Sequence, residues 1–371
     1  MDDPTANLTV AIDAGPLLGP ITGIGAAVGE MIHALEARGD VTLRPYALSF
    51  RGTLLPGMTR LPLPAAIAQH LWSRVPWPRL DHWFRPAQVV HGTNYAMGPS
   101  RLPRVVTVYD CWFLHNRSDA SPVVARAGAV LRRAVASGAT VHASSHATAA
   151  TVRDVLSTDR VEVIHLAPLP RPPTSAVAGR APIAELDSVP FVLALGTLER
   201  RKNLPRLIIG FAEIAGAHPS LRLVLAGADG DDRPAIDAAM DVLPATIRTR
   251  VVRTGRIDAG TKDWLLSHAS VLAYPSLDEG FGFPLLEAMQ YDVPVVASSR
   301  GSIPEVAGDA AVLVDPLDAS AIAGALERTI ADDTLRAGLV AAGREQLTVF
   351  SWDNTARDLA ALYHRLVGEG S

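Results

Sequence analysis

Apolar residues along this chain fall in short continuous runs, each bounded by glycine or proline and many followed by a stretch with helical spacing. A run that is apolar at nearly every position, not every second one, predicts a strand covered on both faces, as parallel sheets require. Leu8–Asp13 is the first such strand; a Gly/Pro loop over 15–25 and a helix over Ile24–Ala37 follow. Further strands are predicted at Gln88–His91, Arg104–Tyr109, Thr140–Ala143 and Val161–Leu166. Pro168, Pro170, Pro172, Pro173 and Pro182 then exclude both a helix and a central strand, and mark a linker over 169–190. Beyond it the pattern restarts. Phe191–Leu195 reads as a strand and Leu204–Ala217 as a helix with Asn203 at its N-cap, followed by strands at Leu221–Ala226, Arg250–Arg253, Val271–Ala273, Val293–Ala297 and Ala311–Val314.

Two consecutive strand–helix series predict an α/β chain of two Rossmann-like, doubly wound parallel-sheet domains, 1–168 and 191–351. Ligands of such sheets bind beyond the carboxyl ends of the strands, so two facing sheets would place the site in the cleft between them. The last helical stretch has Ala356, Leu359, Ala360, Tyr363 and Leu366 on one face, and residues 352–371 are expected to pack back on the first domain.

Composition narrows the class. A chain of 371 residues with 48% hydrophobic and 19% charged residues is globular and long enough for two cores. A single cysteine, Cys111, excludes a disulfide framework and a cysteine-based zinc site, and fits a cytoplasmic protein. No apolar stretch approaches the length of a membrane span, and the acidic start, Met1-Asp2-Asp3-Pro4, does not resemble a signal peptide. The net charge of −4 divides unevenly: 15 Arg against 12 acids over 1–168, and 19 Arg+Lys against 26 acids thereafter. Nothing here points to nucleic acid, while the basic first half suits an anionic surface or acceptor.

Three clusters carry candidate chemistry. In Glu279-Gly-Phe-Gly-Phe-Pro-Leu-Leu-Glu287, Gly280 and Gly282 permit close backbone approach and Pro284 suits a first helical turn. The backbone N–H groups of such a turn form an anion site suited to a diphosphate. Glu279 would bind sugar hydroxyls and Glu287, about one turn into the helix, a ribose diol; capping and solvation are the bland alternatives. In Gly196-Thr-Leu-Glu-Arg-Arg-Lys-Asn203, Arg201 and Lys202 lie where a helix begins and would hold a diphosphate; Lys202 is one of only two lysines. The third, Gly19-Pro-Ile-Thr-Gly-Ile-Gly25, is a flexible loop with Gly23 and Gly25 feeding a helix.

Together these segments resemble the retaining glycosyltransferases of family 4, which have the GT-B fold. Glu279 through Glu287 is similar to that family's paired-glutamate segment, and 195–203 to its diphosphate loop. Gly301-Ser-Ile-Pro-Glu-Val306, Phe350-Ser351-Trp352, Thr22-Gly-Ile-Gly25 and Val90-His-Gly-Thr-Asn94 extend the resemblance along the chain. It implies transfer of a sugar from a nucleotide-sugar donor with retention and without a metal or a separate cofactor. Glu279 with Gly280, Phe281, Gly282, Phe283, Pro284 and Leu285 would face the donor, and Gly196, Thr197, Arg201 and Lys202 its diphosphate. Glu287 would meet the ribose, and Arg256 and Ile257 the base. The family often has His-Asp where this chain has Tyr109-Asp110, with His91 and His115 as candidates to compensate.

GDP-mannose is the expected donor, and a lipid-linked or oligosaccharide acceptor in bacterial cell-envelope glycan synthesis the expected acceptor. The alternative is a catalytically silent nucleotide-sugar-binding protein of the same fold. In 71–86, Trp72, Trp77 and Trp83 alternate with Arg74, Arg79 and Arg85. That suits peripheral contact with the inner face of a membrane or a lipid-linked acceptor, against ordinary packing as the plainer reading.

Overall fold

The computed structural model describes residues 7–19, 22–49, 53–115, 122–171 and 182–369. Part of the expected linker (172–181) and Pro20 and Ile21 of the glycine loop lie outside the described residues, as does the side chain of His115. The contacts divide the chain into two compact units, 1–169 with 350–371, and 170–349.

The first unit is a seven-stranded, all-parallel sheet: β1 (Leu8–Asp13), β2 (Val41–Leu48), β3 (Thr59–Leu61), β4 (Val89–Gly92), β5 (Arg104–Val108), β6 (Thr140–Ala143) and β7 (Val161–Val163), in the order β3-β2-β1-β4-β5-β6-β7. Two of these strands were not expected. β2 carries Arg44 and Pro45 in its middle and alternates in burial, so it lacks a continuous apolar run, and β3 is a three-residue edge. β7 also ends at Val163, short of the expected Leu166.

The second unit contains β8 (Phe191–Leu195), β9 (Arg222–Ala226), β10 (Val251–Gly255), β11 (Val271–Tyr274), β12 (Val295–Ser298) and β13 (Ala311–Val314), in the order β10-β9-β8-β11-β12-β13. Val192, Leu193, Leu223, Val224, Val271 and Leu272 are fully buried, and each such side chain contributes about 1.5–3 kcal/mol by leaving water. In each sheet the order reverses direction at the first strand of the unit: β1 lies between β2 and β4, and β8 between β9 and β11. Ligands of doubly wound sheets bind at that switch point.

The helix Trp352–Glu369 packs on the helix Gly23–Arg38 and on β1 and β4. A buried polar chain pins it there. His91 pairs through Nδ1 with Tyr363 Oη at 2.6 Å and through Nε2 with Thr107 Oγ1 at 2.7 Å; Thr107 Oγ1 reaches His142 Nδ1 at 3.0 Å, and His142 Nε2 reaches the Ile164 carbonyl at 2.9 Å. Burial lowers both imidazole pKa values, that of His142 to about 4, so both rings are neutral at pH 7. His91 is therefore spent on structure.

Candidate functional site

The loops that leave β8 and β11 meet over the switch point of the second sheet. Arg201 O accepts from Leu277 N at 2.7 Å, and Asn203 Nδ2 donates to the carbonyls of Pro275 (3.0 Å) and Pro316 (2.6 Å). Asn203 takes the N-cap position expected of it. It stands at the N-terminus of the helix Leu204–Ile214, but in a left-handed conformation (φ 58°) and with no capping bond from its side chain. Its amide joins three loops instead.

Those ties put Arg201 and Lys202 against Glu279. Lys202 Nζ donates to Glu279 Oε1 at 2.5 Å and to Tyr274 Oη at 2.9 Å, while Arg201 Nη1 donates to Glu279 Oε2 at 2.6 Å and its Nε to Glu199 at 2.9 Å. Glu279 and Lys202 are buried, at 7% and 8% exposure, and Arg201 is half-buried. Burial alone would raise the pKa of Glu279. Lys202 and Arg201 outweigh it and hold the carboxyl at about 2, so it is ionised at neutral pH. Burial lowers the pKa of Lys202, with Glu279 opposing.

The rest of the segment is held from behind. Ser302 Oγ donates to the carbonyls of Glu279 (2.9 Å) and Phe281 (3.1 Å), which gives the 301–306 turn its part in shaping this loop. Gly282 sits at φ 100°, a conformation that glycine adopts without a Cβ penalty, and opens the helix Phe283–Gln290 with Pro284 in its first turn. Leu285 is buried in that turn, and Glu287, one turn on, pairs with Lys262 Nζ at 2.8 Å. Lys262 is half-buried in this pair. The sequence did not reveal the pairing.

Gly196 follows β8 directly, and its carbonyl crosses Gly227, the residue after β9, so closely that no Cβ fits there. Lys202 Cε lies against Gly196, and Thr197 is exposed beside it. Arg256 (exposed) and Ile257 (half-buried) follow β10, two strands from β8; Gly227 N donates to Gly255 O at 3.2 Å and so links the two loops. Thus one end of one sheet carries Gly196, Thr197, Arg201, Lys202, Glu279 to Leu285 and, at its far edge, Arg256 and Ile257.

The remaining candidates lie on the first unit. Gly23 and Gly25 are in the first turn of the helix Gly23–Arg38, whose N-cap Thr22 accepts from Gly25 N at 3.2 Å. Tyr109 and Asp110 follow β5. Asp110 accepts from Tyr95 Oη (3.1 Å) and from Trp112 N (3.3 Å). Tyr109 is 6% exposed, its pKa is raised by burial, and its hydroxyl meets no partner among the described residues.

Sequence reasoning passed over Asp13, the last residue of β1. Its Oδ1 accepts from Gly15 N at 2.9 Å and its carbonyl from Thr93 Oγ1 at 2.7 Å. Burial raises its pKa to about 6, with only the Gly15 N–H opposing, and its charge raises the pKa of the Tyr46 and Tyr109 hydroxyls. A carboxylate ending a buried strand just before a glycine loop was the signal available.

Residues 180–346 match the family model described as Glycosyl transferases group 1. Over 179 residues, 47% of this chain and 46% of the relative, the sequence is 34% identical to O-antigen chain mannosyltransferase B of Escherichia coli. Over 225 residues, 58% and 55% respectively, it is 31% identical to the phosphatidyl-myo-inositol mannosyltransferase of Mycolicibacterium smegmatis. The chain thus spans about half the length of these curated relatives. Its fold is similar to that of sucrose-phosphate synthase from Thermosynechococcus elongatus, with a TM-score of 0.74 and 22% identity over 98% of this chain and 100% of that one.

Proposed function

We propose that the protein, whose residues 180–346 match the glycosyl transferases group 1 model and whose fold is GT-B, transfers a sugar, mannose from GDP-mannose, to a lipid-linked or polysaccharide acceptor. The observation that carries this reading is the cluster of buried Lys202 and Glu279 with half-buried Arg201 at the β8/β11 switch point, beside a helix that begins after Gly282. Mannose as the sugar is supported by the names of the two mannosyltransferase relatives.

In this reading the donor diphosphate lies between the Gly196–Lys202 loop and the N-terminus of the helix Phe283–Gln290. Arg201 and Lys202 stabilise the charge that grows on it as its bond to the anomeric carbon breaks. The acceptor oxygen forms the new bond on the same face, and its proton departs with the nucleoside diphosphate. Glu279 fixes both cations before substrate arrives, so no reorganisation is needed at the moment of reaction. Glu287, oriented by Lys262, accepts from the ribose hydroxyls, and Arg256 and Ile257 flank the base. Retention and independence of a metal belong to the same proposal, as does work in the cytoplasm on cell-envelope glycan.

Incubation with GDP-mannose and a polyprenyl-linked acceptor, with release of GDP as the readout, tests it. Turnover lost in Lys202→Ala supports the assignment. GDP-mannose that raises the melting temperature without any turnover would replace it by the silent binding protein. No binding of any nucleotide-sugar would remove both.

A further inference from the structure

The first unit carries an unusual surface between the helix Ala65–Trp72 and the helix Pro122–Ala136. Of the three tryptophans in 71–86, the structure buries Trp72, whose Nε1 donates to Pro78 O at 3.1 Å, and half-buries Trp83. Trp77 is left 65% exposed, next to Val75 at 42%. On the helix before them Ile67 and His70 share one exposed face at helical spacing; Ile67 is 52% exposed, and Arg74, just beyond the helix end, lies against the His70 ring, 2.8 Å from Nδ1. Large apolar side chains in water cost free energy, and a turn that shows two of them in three residues is a surface built to be covered.

Charge and shape say by what. From residue 60 to 105 the chain has six arginines and one acid, Asp81, which is engaged by Ser100 Oγ (2.6 Å) and Arg101 N (2.7 Å). Arg74 and Arg79 are exposed on either side of Val75–Trp77. Beside the turn runs a mainly apolar groove of about 370 Å³, lined by Trp72, Val75, Pro76 and Val130, with Arg104 and Arg133 also in its wall. An indole at the water–lipid boundary, arginines reaching headgroup phosphates and a mainly apolar groove beside them are the parts of an interfacial anchor. Among the described residues no helix is long and apolar enough to cross a membrane, so this contact would be peripheral.

We propose that the Arg74–Arg79 turn docks the chain on an anionic lipid bilayer, with Trp77 and Val75 entering the interface, Arg74 and Arg79 on headgroup phosphates, and the neighbouring groove receiving one acyl or isoprenoid chain. This docking stands independently of the transferase reading, because it requires neither donor nor turnover.

The full chain is sedimented with vesicles of phosphatidylglycerol in phosphatidylcholine and with vesicles of phosphatidylcholine alone. Binding is expected to the first and to weaken steeply with salt, as surface electrostatics require. Each arginine near an anionic surface contributes about fivefold in partitioning, so Arg74→Glu with Arg79→Glu should abolish it. Trp77→Ala should weaken it about tenfold, and brominated lipid should quench tryptophan emission in the parent chain but far less in Trp77→Phe. These side chains are exposed, so circular dichroism and melting temperature should be unchanged in all the variants. Equal partitioning to both vesicles, or partitioning undiminished in Trp77→Ala and in the double variant, overturns the proposal. So does a dimer that dissociates in Trp77→Ala without vesicle binding, which would assign the surface to a second copy.

Discussion

The two sheets have the same reversal of strand order, yet they furnish it with opposite chemistry. At β8/β11 a buried carboxylate faces two cations, and the helices that follow β10 and β11 bring a second acid–base pair, Glu287 with Lys262. At β1/β4 a half-buried carboxylate, Asp13, has a backbone N–H and tyrosine hydroxyls for company, and the polar groups around it are neutral threonine and tyrosine. The first arrangement holds charge in place and suits a charged ligand; the second disfavours charge and suits a ligand of hydroxyl groups. One topology supports both, because the side chains come from the strand ends and the segments that follow them, which differ between the two sheets.

The largest effect should come from breaking the charged side. Glu279→Ala leaves Lys202 buried with Tyr274 as its remaining bonded partner, and removing one member of a buried pair costs about 3–5 kcal/mol. Guanidinium unfolding followed by circular dichroism reads this. The folded pKa of Glu279 (about 2) lies below its ordinary value of 4.5. Its contribution is therefore present above pH 4.5 and lost as pH falls through 2, and the gap between parent and variant should close over that window. Glu279→Leu with Lys202→Met should recover most of the stability, since well-packed apolar residues replace a buried ion pair at little cost. It should not recover donor binding. Donor binding at the parent level in that double variant would show that the charges serve the fold alone.

Much of this contrast was legible in the sequence, and the part that was not has a physical cause. β8, β9 and β11 are buried on both faces and so read as continuous apolar runs, whereas Arg44 and Pro45 hid β2 near the edge of its sheet. The segments around Lys202 and Glu279 stood out because glycine, proline and charge coincide where a strand gives way to a helix. Their contact, across 77 residues, is a product of strand order. The same holds for Lys262 with Glu287, and for the chain from His91 through Thr107 and His142, which no spacing rule links. Trp72, Trp77 and Trp83 look alike in sequence, and only packing separates the exposed one from the others.

Asp13→Asn tests the uncharged side, and the expected change has the opposite sign. The carboxyl of Asp13 is raised from 3.8 to about 6, so ionising it in the fold costs stability that is absent below pH 3.8, grows through the interval and is fully present above 6. A shift of this size corresponds to about 3 kcal/mol, and solvent screening of a half-buried group brings it nearer about 1–2 kcal/mol. Asparagine keeps the acceptor for Gly15 N. The variant should thus be more stable than the parent at pH 8 and equal to it at pH 3.5, by thermal melts at both values. Loss of turnover alongside the gain at pH 8 would place Asp13 among the groups that meet substrate.

Tyr109→Phe should change stability least and separates fold from function most cleanly. The Tyr109 hydroxyl is buried without a partner among the described residues, so these give the fold nothing for the cost of desolvating it. Its removal should leave stability unchanged or raise it by under about 1 kcal/mol. On the proposed function, a ligand atom at this end of the sheet would complete the hydrogen bond of the Tyr109 hydroxyl. The variant should then lose turnover, with its melting temperature intact. If melting temperature falls while turnover holds, Tyr109 is a packing residue, and the neutral end of the first sheet must find its ligand through Asp13 and Thr93 instead.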